Sequence, residues 1–321
     1  MKSITQDKLM NKLISIVVPI YNEAEIIEES IKQLMDLTQK IKYPCEIIVV
    51  DDGSSDNSLK ILEDIAKTNS IIKIVSFSRN FGHQIAYSAG MDLALGDAVI
   101  VIDGDLQDPP DLILSFISEW ENGYEVVYGV RVDREGETFM KKFSANLFYK
   151  FLDLISDIKI PKNSGDFRLM DRKIVDAFKK MPERARYIRG MISWIGFKQK
   201  SIEYKRLARS KGETKYTLNK MLNLASNGII SFSKTPLKIA YLIGIATVFL
   251  SIIGIFYALG LRIFSDIWVE GWTFLVIVFL FFGGLQILIL GIIGEYLAVI
   301  FDESKGRPLY LIDKVIHYDK K

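Results

Sequence analysis

The sequence predicts an α/β domain built on a mostly parallel sheet, followed by two helices that cross a membrane. Three observations support this fold class. Short apolar, β-branched runs alternate with longer segments of helical pattern between residues 13 and 130, as in sheets whose parallel strands are joined by helices. A polar, turn-rich loop follows each of the first four runs. The composition then changes near residue 236, where long uncharged apolar segments begin.

The strands and helices of the first domain are predicted in order from these runs. Strands are expected at residues 13–18, 46–50, 71–77, 98–102 and 125–128, and helices are expected at 24–40, at 57–67 and from 84 to about 95. Acidic residues in the first turns of the 24–40 helix favour it, because a helix N-terminus attracts negative charge. Parallel strands end at one edge of a sheet, where open α/β folds bind their ligands. The four loops should therefore converge.

The loop from Asp103 to Pro110 is the feature around which the chain is organised. Asp103 and Asp105 follow a buried strand directly, and two carboxylates in this position can ligate one Mg²⁺ or Mn²⁺. Water and substrate phosphates would fill the remaining positions of the ion. An acidic turn that caps the next helix is the alternative. An EF-hand is excluded, because its sixth position is Asp108 rather than Gly and its twelfth is Leu114 rather than Glu.

Several other classes of protein are disfavoured. Neither G-x-G-x-x-G nor G-x-x-x-x-G-K-[ST] follows the first strand, which argues against a Rossmann dehydrogenase or a P-loop enzyme. The single cysteine, Cys45, excludes an internal disulfide, and with only two histidines a zinc site of His and Cys is not expected. The net charge of +2 averages unlike regions, and no nucleic acid partner is expected. Residues 1–12 are polar and charged, so no cleavable signal is expected there.

Two uncharged segments predict membrane-spanning helices. Residues 239–261 and 271–294 lack charged side chains, and each is longer than the roughly 20 residues that cross a bilayer. A buried hairpin of a soluble protein is the alternative. Cations flank the pair on its outer sides, whereas the connecting loop carries Asp266 and Glu270. Both termini and the N-terminal domain are therefore expected in the cytoplasm.

Ordered motifs resemble the signature of family 2 glycosyltransferases. They are V-V-P at 17–19 with N-E at 22–23, D-D-G-S-S-D at 51–56, R-N-F-G at 79–82 and D-G-D-L-Q-D-P-P at 103–110. With S-G-D-F-R at 164–168, R-S-K-G-E-T-K-Y at 209–216 and two C-terminal spans, the chain resembles the polyprenyl-phosphate glycosyltransferases. That group includes dolichyl-phosphate mannose synthase and bacterial bactoprenol glucosyltransferases. The resemblance runs from about Leu13 onward and implies a Rossmann-like fold of the GT-A type.

The resemblance also implies roles for individual residues. Those that would bind the donor nucleotide are Pro19, Tyr21, Glu23, Asp52, Asp103, Arg209 and Lys215. Those that would hold the metal are Asp103, Asp105 and Gln107, and those that would bind the acceptor phosphate are Arg131, Lys142 and Ser144. Basic residues at the start of the helix near Lys142 oppose the helix dipole, so an anion is expected there, with a solvated basic face as the alternative.

The catalytic candidates are Asp105, Asp166, Asp157 and Arg168. A phosphate monoester carries about −1.5 to −2 charges at neutral pH and is already nucleophilic. Asp166 is therefore expected to position groups rather than to remove a proton. Asp157 is a further candidate in the same neighbourhood, and Arg168 is expected to pair with either carboxylate or to approach phosphate.

We expect a cytoplasmic glycosyltransferase domain at 1–215, an interfacial amphipathic segment at 216–235, two transmembrane helices at 236–301 and a cytoplasmic tail at 302–321. The expected reaction moves a sugar, with UDP-glucose as the first choice of donor, to polyprenyl (undecaprenyl) phosphate with inversion. It would require Mg²⁺ or Mn²⁺ and would occur at the cytoplasmic face of the bacterial inner membrane. Glycines in the second span would help to form a homo-oligomer.

Two alternatives remain open at this stage. A processive polysaccharide synthase would normally have more spans and a Q-x-x-R-W motif, and neither is visible in the sequence. A non-catalytic, membrane-tethered protein that binds a nucleotide sugar or a lipid would retain the same motifs without turnover.

Overall fold

The computed structural model describes residues 12–105, 107–132, 164–205, 233, 235–264 and 271–318. Within these residues the chain divides into two compact units. The first unit comprises the described residues up to 205 together with 307–318, and the second comprises those from 233 to 306. Lys142, Ser144, Asp157, Arg209 and Lys215, which the sequence predicts as site residues, lie outside the described residues, as does most of the interfacial segment.

The N-terminal half of the first unit alternates strands and helices, as the sequence predicts. Its elements are β1 (Ile14–Ile20), α1 (Ile27–Thr38), β2 (Cys45–Asp51), α2 (Ser58–Ala66), β3 (Ile72–Phe77), α3 (His83–Leu93), β4 (Ala98–Val101) and α4 (Leu112–Glu121). β1 pairs in parallel with β2 and β4, and β2 pairs in parallel with β3. Every residue of β1 and β4 is buried, which is why these strands read as continuous apolar runs.

The remaining elements of the first unit complete the sheet. They are β5 (Val126–Arg131), β6 (Ser164–Asp171), α5 (Arg172–Lys179), α6 (Ile188–Ile195), β7 (Gln199–Tyr204) and β8 (Ile312–Ile316). Among the described residues the sheet has eight strands in the order β7-β5-β6-β4-β1-β2-β3-β8. β6 is antiparallel to β4 and β5, and β8 is antiparallel to β3. The sheet is therefore mixed but mostly parallel.

Helices cover both faces of this sheet. On one face, side chains of α1, α2 and α4 join alternate strand residues such as Ile16 and Ile100 in one apolar cluster. On the other face, α3 lies very close to β1. A Cβ atom on Gly90 would be 2.1 Å from Cγ1 of Val17, so only glycine permits this approach.

The register places several strand ends at one edge of the sheet. Val101, the last residue of β4, pairs with Arg168, so the antiparallel strand β6 begins where β4 ends. Arg131 at the end of β5 pairs with Tyr204 at the end of β7. The acidic loop after β4 therefore shares this edge with the start of β6 and the ends of β5 and β7.

The segment after the second long helix, within the cytoplasmic tail expected at 302–321, adds a strand to the sheet. Val75 of β3 pairs with Val315 of β8, and the backbone N–H of Ser78 donates to the carbonyl of Leu311 at 3.0 Å. The ring of Tyr310 stacks on Phe77 with centroids 5.0 Å apart. β8 thus covers the edge of the sheet that β3 would otherwise expose.

The second unit contains two long helices, α7 (Thr235–Phe264) and α8 (Trp272–Ser304). Their candidate membrane spans are Thr235–Gly254 and Phe281–Ser304, of which only 6% and 0% of residues are buried. A core helix of a soluble protein would be mostly buried, so the exposed apolar side chains favour a membrane environment for these helices.

Candidate active site

The first turns of α3 hold the acidic loop that follows β4. Nε2 of His83 lies 2.9 Å from Oδ1 of Asp103, and the Tyr87 hydroxyl donates to the same oxygen at 2.7 Å. His83 and Tyr87 are four residues apart, so one face of the helix presents both to a single carboxylate. Within the described residues, both hydrogen-bonding contacts of the Asp103 carboxylate are made by Oδ1, and Oδ2 takes part in neither.

These contacts keep Asp103 ionised. Burial favours the neutral acid, but the charge of His83 and the hydrogen bonds from His83 and Tyr87 outweigh burial and lower the pKa of Asp103 to about 2. Burial lowers the pKa of His83, but the charge and hydrogen bond of Asp103, together with the charge of Asp166, outweigh burial, so the pKa of His83 is raised overall. At neutral pH Asp103 is therefore a carboxylate with one oxygen held in place.

The donor atoms of this loop fit a hard divalent cation. Asp105 accepts a hydrogen bond from the backbone N–H of Gln107 at 3.1 Å, which connects these two residues directly. In the part of the chain that the structure describes, no group of three or more His, Cys, Asp or Glu forms a metal cage. Mg²⁺ requires no such cage, because one or two carboxylates, water and substrate phosphates complete its shell. The Gln107 side chain as a ligand stays a prediction.

The loops after β2 and β3 meet at Asp52. Its carboxylate accepts backbone N–H groups from Phe81 at 2.7 Å and from Gly82 at 2.9 Å. Burial raises the pKa of Asp52, and these two hydrogen bonds oppose the increase. Gly53 next to it has a φ of +66°, and a Cβ there would be 2.4 Å from the carbonyl carbon of Arg79. The turn therefore requires glycine so that the two loops can touch.

The loop after β1 is hydrogen-bonded to the segment that follows β2 at the same edge of the sheet. The backbone N–H of Asn22 donates to the Ser54 hydroxyl, and that of Glu23 donates to Ser58, both at 2.9 Å. Tyr21 remains 40% exposed beside these tied residues. Four of the predicted nucleotide-binding residues, Pro19, Tyr21, Glu23 and Asp52, thus lie at the ends of β1 and β2. Asp51 has a structural role instead, since it accepts hydrogen bonds from Ser54 and Ser76.

Asp166 at the start of β6 is fully engaged by its neighbours. Arg189 donates through Nε to Oδ1 at 2.8 Å and through Nη2 to Oδ2 at 3.1 Å, and Gln84 donates to Oδ2 at 3.0 Å. Burial would raise the pKa of Asp166, but the charge and hydrogen bonds of Arg189, together with the charges of Arg168 and His83, outweigh burial and hold the pKa well below its usual range. A carboxylate paired in this way is a poor proton acceptor, which favours a positioning role.

Arg189 and Gln84 are site residues that the sequence reasoning missed. Arg168, which the sequence predicts as the partner of a carboxylate or of phosphate, donates to the backbone carbonyls of Gly165 and Asp166, and its charge also lowers the pKa of Asp166. It is buried, and burial lowers its pKa. One signal could have revealed Arg189: it is a lone cation at the start of a helix whose other early residues are buried and apolar.

A third cluster lies at the ends of β5 and β7. The Tyr204 hydroxyl donates to Oδ1 of Asp108 at 2.5 Å, and Nε of Arg131 donates to the Tyr204 oxygen at 3.1 Å. Nη2 of Arg131 forms an ion pair with Oδ2 of Asp108 at 3.5 Å. The structure thus places Arg131, the predicted acceptor-binding residue, at the same edge as the acidic loop. Tyr204 was not predicted as a site residue.

The sequence profile of glycosyl transferase family 2 matches residues 15–179 of this chain. The uncharacterized glycosyltransferase YkcC of Bacillus subtilis (strain 168) is 49% identical over 96% of this chain and 95% of its own length. A prophage bactoprenol glucosyl transferase homolog of Escherichia coli (strain K12) is 40% identical over 94% of this chain and 99% of its own. A bactoprenol glucosyl transferase of Shigella phage SfV is 39% identical over 93% and 97%, respectively.

The mostly parallel sheet and its carboxylate-lined edge are those of a glycosyltransferase of the GT-A type. The chain belongs to glycosyl transferase family 2, and within that family it is similar to the bactoprenol glucosyl transferases over nearly its whole length.

Proposed function

We propose that this protein transfers a sugar from a nucleotide-sugar donor to polyprenyl phosphate, with undecaprenyl phosphate as the lipid and UDP-glucose as the donor. The observation that carries the proposal is the presence, in one chain, of an ionised acidic loop at a strand end and two exposed apolar helices. The relatives named bactoprenol glucosyl transferase support both the sugar and the lipid. The apolar tail of a lipid acceptor cannot leave the bilayer, so the protein must bind the lipid phosphate at the membrane surface.

Asp103 and Asp105 would hold Mg²⁺ or Mn²⁺ against the donor diphosphate, with Gln107 beside them. When bound, the metal would supply a positive charge that stabilises the departing nucleoside diphosphate. Tyr21 is exposed at the rim and is suited to contact the base. Pro19, Glu23 and Asp52 would form the rest of the nucleotide pocket, and Arg209 and Lys215 would close over the diphosphate.

The lipid phosphate would attack the anomeric carbon in a single in-line displacement. This step forms a bond between a phosphate oxygen and the anomeric carbon while the bond to the diphosphate breaks, so an α-linked donor gives a β-linked product. Arg131, Lys142 and Ser144 would bind the acceptor phosphate. Asp166 would hold Arg189 near the reacting groups, and Asp157 and Arg168 remain further candidates for this neighbourhood.

We also propose that the catalytic unit and both termini lie in the cytoplasm and that α7 and α8 cross the membrane as a hairpin. β8 pairs with β3, so the chain returns after the two helices to the unit from which they started. Glycines on α8 support association of the spans with a second copy. A Cβ on Gly283, Gly284 or Gly291 would meet nothing within 4 Å, which leaves space for a close helix neighbour.

The test is a transfer assay with purified protein, undecaprenyl phosphate and one radiolabelled nucleotide sugar at a time, followed by organic extraction. Label in the lipid phase with UDP-glucose is the expected result, and the Asp105→Ala variant should leave the lipid phase unlabelled. Donor binding without transfer would support the scaffold alternative instead. Label in a polymer that stays in the aqueous phase would support the processive synthase.

A further inference from the structure

Three side chains from three different elements meet at the edge of the sheet beside the acidic loop. The buried hydroxyl of Tyr204 lies 2.5 Å from Oδ1 of Asp108. The guanidinium of Arg131 contacts both groups, with Nε 3.1 Å from the Tyr204 oxygen and Nη2 3.5 Å from Oδ2 of Asp108. The arginine is therefore held along one side by a hydroxyl and a carboxylate.

Burial makes this arrangement rigid. Asp108 has no exposed surface, and a buried carboxylate needs partners to remain charged. The Arg131 side chain is 23% exposed, so it lies at the boundary between the buried cluster and the open edge. The guanidinium of Arg131 pairs with the buried carboxylate of Asp108. Its exposed part is available to bind an anion at the open edge of the sheet.

Two glycines provide the space that the cluster needs. A Cβ on Gly129 would lie 2.6 Å from Cε1 of Tyr204, and a Cβ on Gly165 would lie 2.8 Å from Nη2 of Arg131. Both distances are shorter than contacts between real Cβ atoms and their neighbours. Strands β5 and β6 therefore lack a side chain at the two positions where the tyrosine ring and the guanidinium pack.

The cluster leaves part of the arginine available. Nε and Nη2 donate to partners, whereas Nη1 donates no hydrogen bond to any of the described residues. A guanidinium carries five N–H donors in a planar fork that suits phosphate oxygens. Asp108 belongs to the same loop as Asp103 and Asp105, so the guanidinium contacts the loop that is proposed to hold the metal. The charge of Asp103 also acts on Arg131.

We propose that Asp108 and Tyr204 are positioning residues that orient the Arg131 guanidinium toward the phosphate of the lipid acceptor. This inference rests on the proposed function. It adds Asp108 and Tyr204 to the residues of the acceptor site, and it explains why Gly129 and Gly165 lack side chains there. The rival account is that the cluster only stabilises the fold. The two accounts differ in what the loss of the Tyr204 hydroxyl does to acceptor binding.

The principal variant is Tyr204→Phe, which keeps the ring and removes the hydroxyl that contacts both partners. The apparent KM for undecaprenyl phosphate should rise about 10-fold, as expected when a hydrogen bond to a charged group is lost or misaligned. The KM for the donor should stay within about twofold. Arg131→Lys should raise the acceptor KM at least as much, because it keeps the charge but loses the fork.

A matched control is available at the opposite edge of the sheet. The Tyr43 hydroxyl donates to Oε1 of Glu121 at 2.7 Å, so Tyr43→Phe removes the same group from a similar tyrosine–carboxylate pair remote from the site. This variant should leave the acceptor KM unchanged. The double variant Tyr204→Phe with Arg131→Lys should have the same acceptor KM as Arg131→Lys alone, because both changes act through one guanidinium.

A binding measurement separates this inference from the proposed function. Detergent-solubilised protein should bind undecaprenyl phosphate about 10-fold more weakly in Tyr204→Phe than in wild type, whereas undecaprenol, which lacks the phosphate, should bind both equally. If wild type transfers sugar but Tyr204→Phe shows unchanged acceptor KM and phosphate affinity, the positioning role is wrong. If the phosphate-specific loss is found but wild type transfers no sugar, the positioning role stands and the proposed reaction is wrong.

Discussion

Three carboxylates at the edge of the sheet are held in three different ways, and each way limits what the residue can do. Asp103 receives both of its recorded hydrogen bonds on Oδ1. Asp166 uses both oxygens in contacts with Arg189 and Gln84. Asp108 is buried and accepts a hydrogen bond from the Tyr204 hydroxyl. Asp103 is therefore suited to ligate a cation, whereas Asp166 and Asp108 are suited to hold a cationic side chain.

The pairing of Asp166 with Arg189 predicts a stability effect. Asp166→Asn would leave a largely buried guanidinium without its counter-charge. Breaking a fully buried pair costs about 3–5 kcal/mol, and we expect about 1–3 kcal/mol here because the Arg189 side chain is 29% exposed. Thermal unfolding in detergent measures this loss. The double variant Asp166→Asn with Arg189→Met should recover part of it, and an unchanged melting temperature in Asp166→Asn would contradict the pairing.

The lowered pKa of Asp103 predicts how stability depends on pH. An unfolded aspartate titrates near pH 3.9, whereas the pKa of Asp103 in the folded protein is about 2. The unfolded chain therefore binds the proton first, so the contribution of Asp103 is fully present above about pH 4 and is lost as the pH falls toward 2. Between these pH values, the melting temperature of wild type should fall more steeply than that of Asp103→Asn. Parallel slopes would contradict the assignment.

Among the elements, β8 connects the segment that follows α8 to β3 and to the loop at 78–82. Tyr310 stacks on Phe77, and Phe77 contacts Phe81 edge-on with centroids 5.7 Å apart. The backbone N–H of Phe81 then donates to Asp52. A short run of aromatic contacts therefore links the segment after α8 to a predicted nucleotide-binding residue.

This link predicts the effect of Tyr310→Ala. We expect a loss of about 1–3 kcal/mol of unfolding free energy, less than for a fully buried aromatic, because Tyr310 is partly exposed. Donor affinity should weaken as the loop at 78–82 loses support, while acceptor affinity stays unchanged. Tyr310→Phe keeps the stacking and is the matched control. Equal donor affinity in wild type and Tyr310→Ala would show that β8 does not support the loop.

The elements that the sequence predicted well are those whose pattern reports burial directly. β1 to β4 are mostly apolar and mostly buried, so their runs are visible without knowledge of their neighbours. β8 was not predicted, because a five-residue strand with Asp313 and Lys314 at its centre has little apolar signal and pairs with a strand far away in the chain. Its position depends on tertiary pairing that local pattern does not encode.

The same distinction applies to the site. Asp103 and Asp105 were predicted as metal ligands because they follow a buried strand at the edge where strands end, whereas Asp52 was predicted from the resemblance to the family. Their contact partners were not predicted. Tyr204 lies 96 residues from Asp108, and Gln84 lies 82 residues from Asp166. Such contacts arise from the order of strands and the docking of α3 and α6, which a single sequence does not state.

At the scale of the whole molecule, the return of the chain to β3 predicts the membrane topology. A cysteine introduced by Ser265→Cys, between α7 and α8, should react with a membrane-impermeant maleimide in intact cells. A cysteine introduced by Asp313→Cys, on β8, should react only after the membrane is opened. Background from Cys45 should be low, because burial raises its pKa to about 11 and thiolate is the reactive form. Labelling of both positions in intact cells would contradict the hairpin.

The acidic loop and the two long apolar helices are proposed to serve one reaction, transfer of a sugar to a lipid phosphate. The most direct measurement is extraction of radiolabel into the organic phase after purified protein is incubated with labelled UDP-glucose, undecaprenyl phosphate and Mn²⁺. The account predicts labelled lipid with wild type, and none with Asp105→Ala or after chelation of the metal. Undiminished labelling by Asp105→Ala, or no lipid labelling by wild type with any nucleotide sugar, would contradict it.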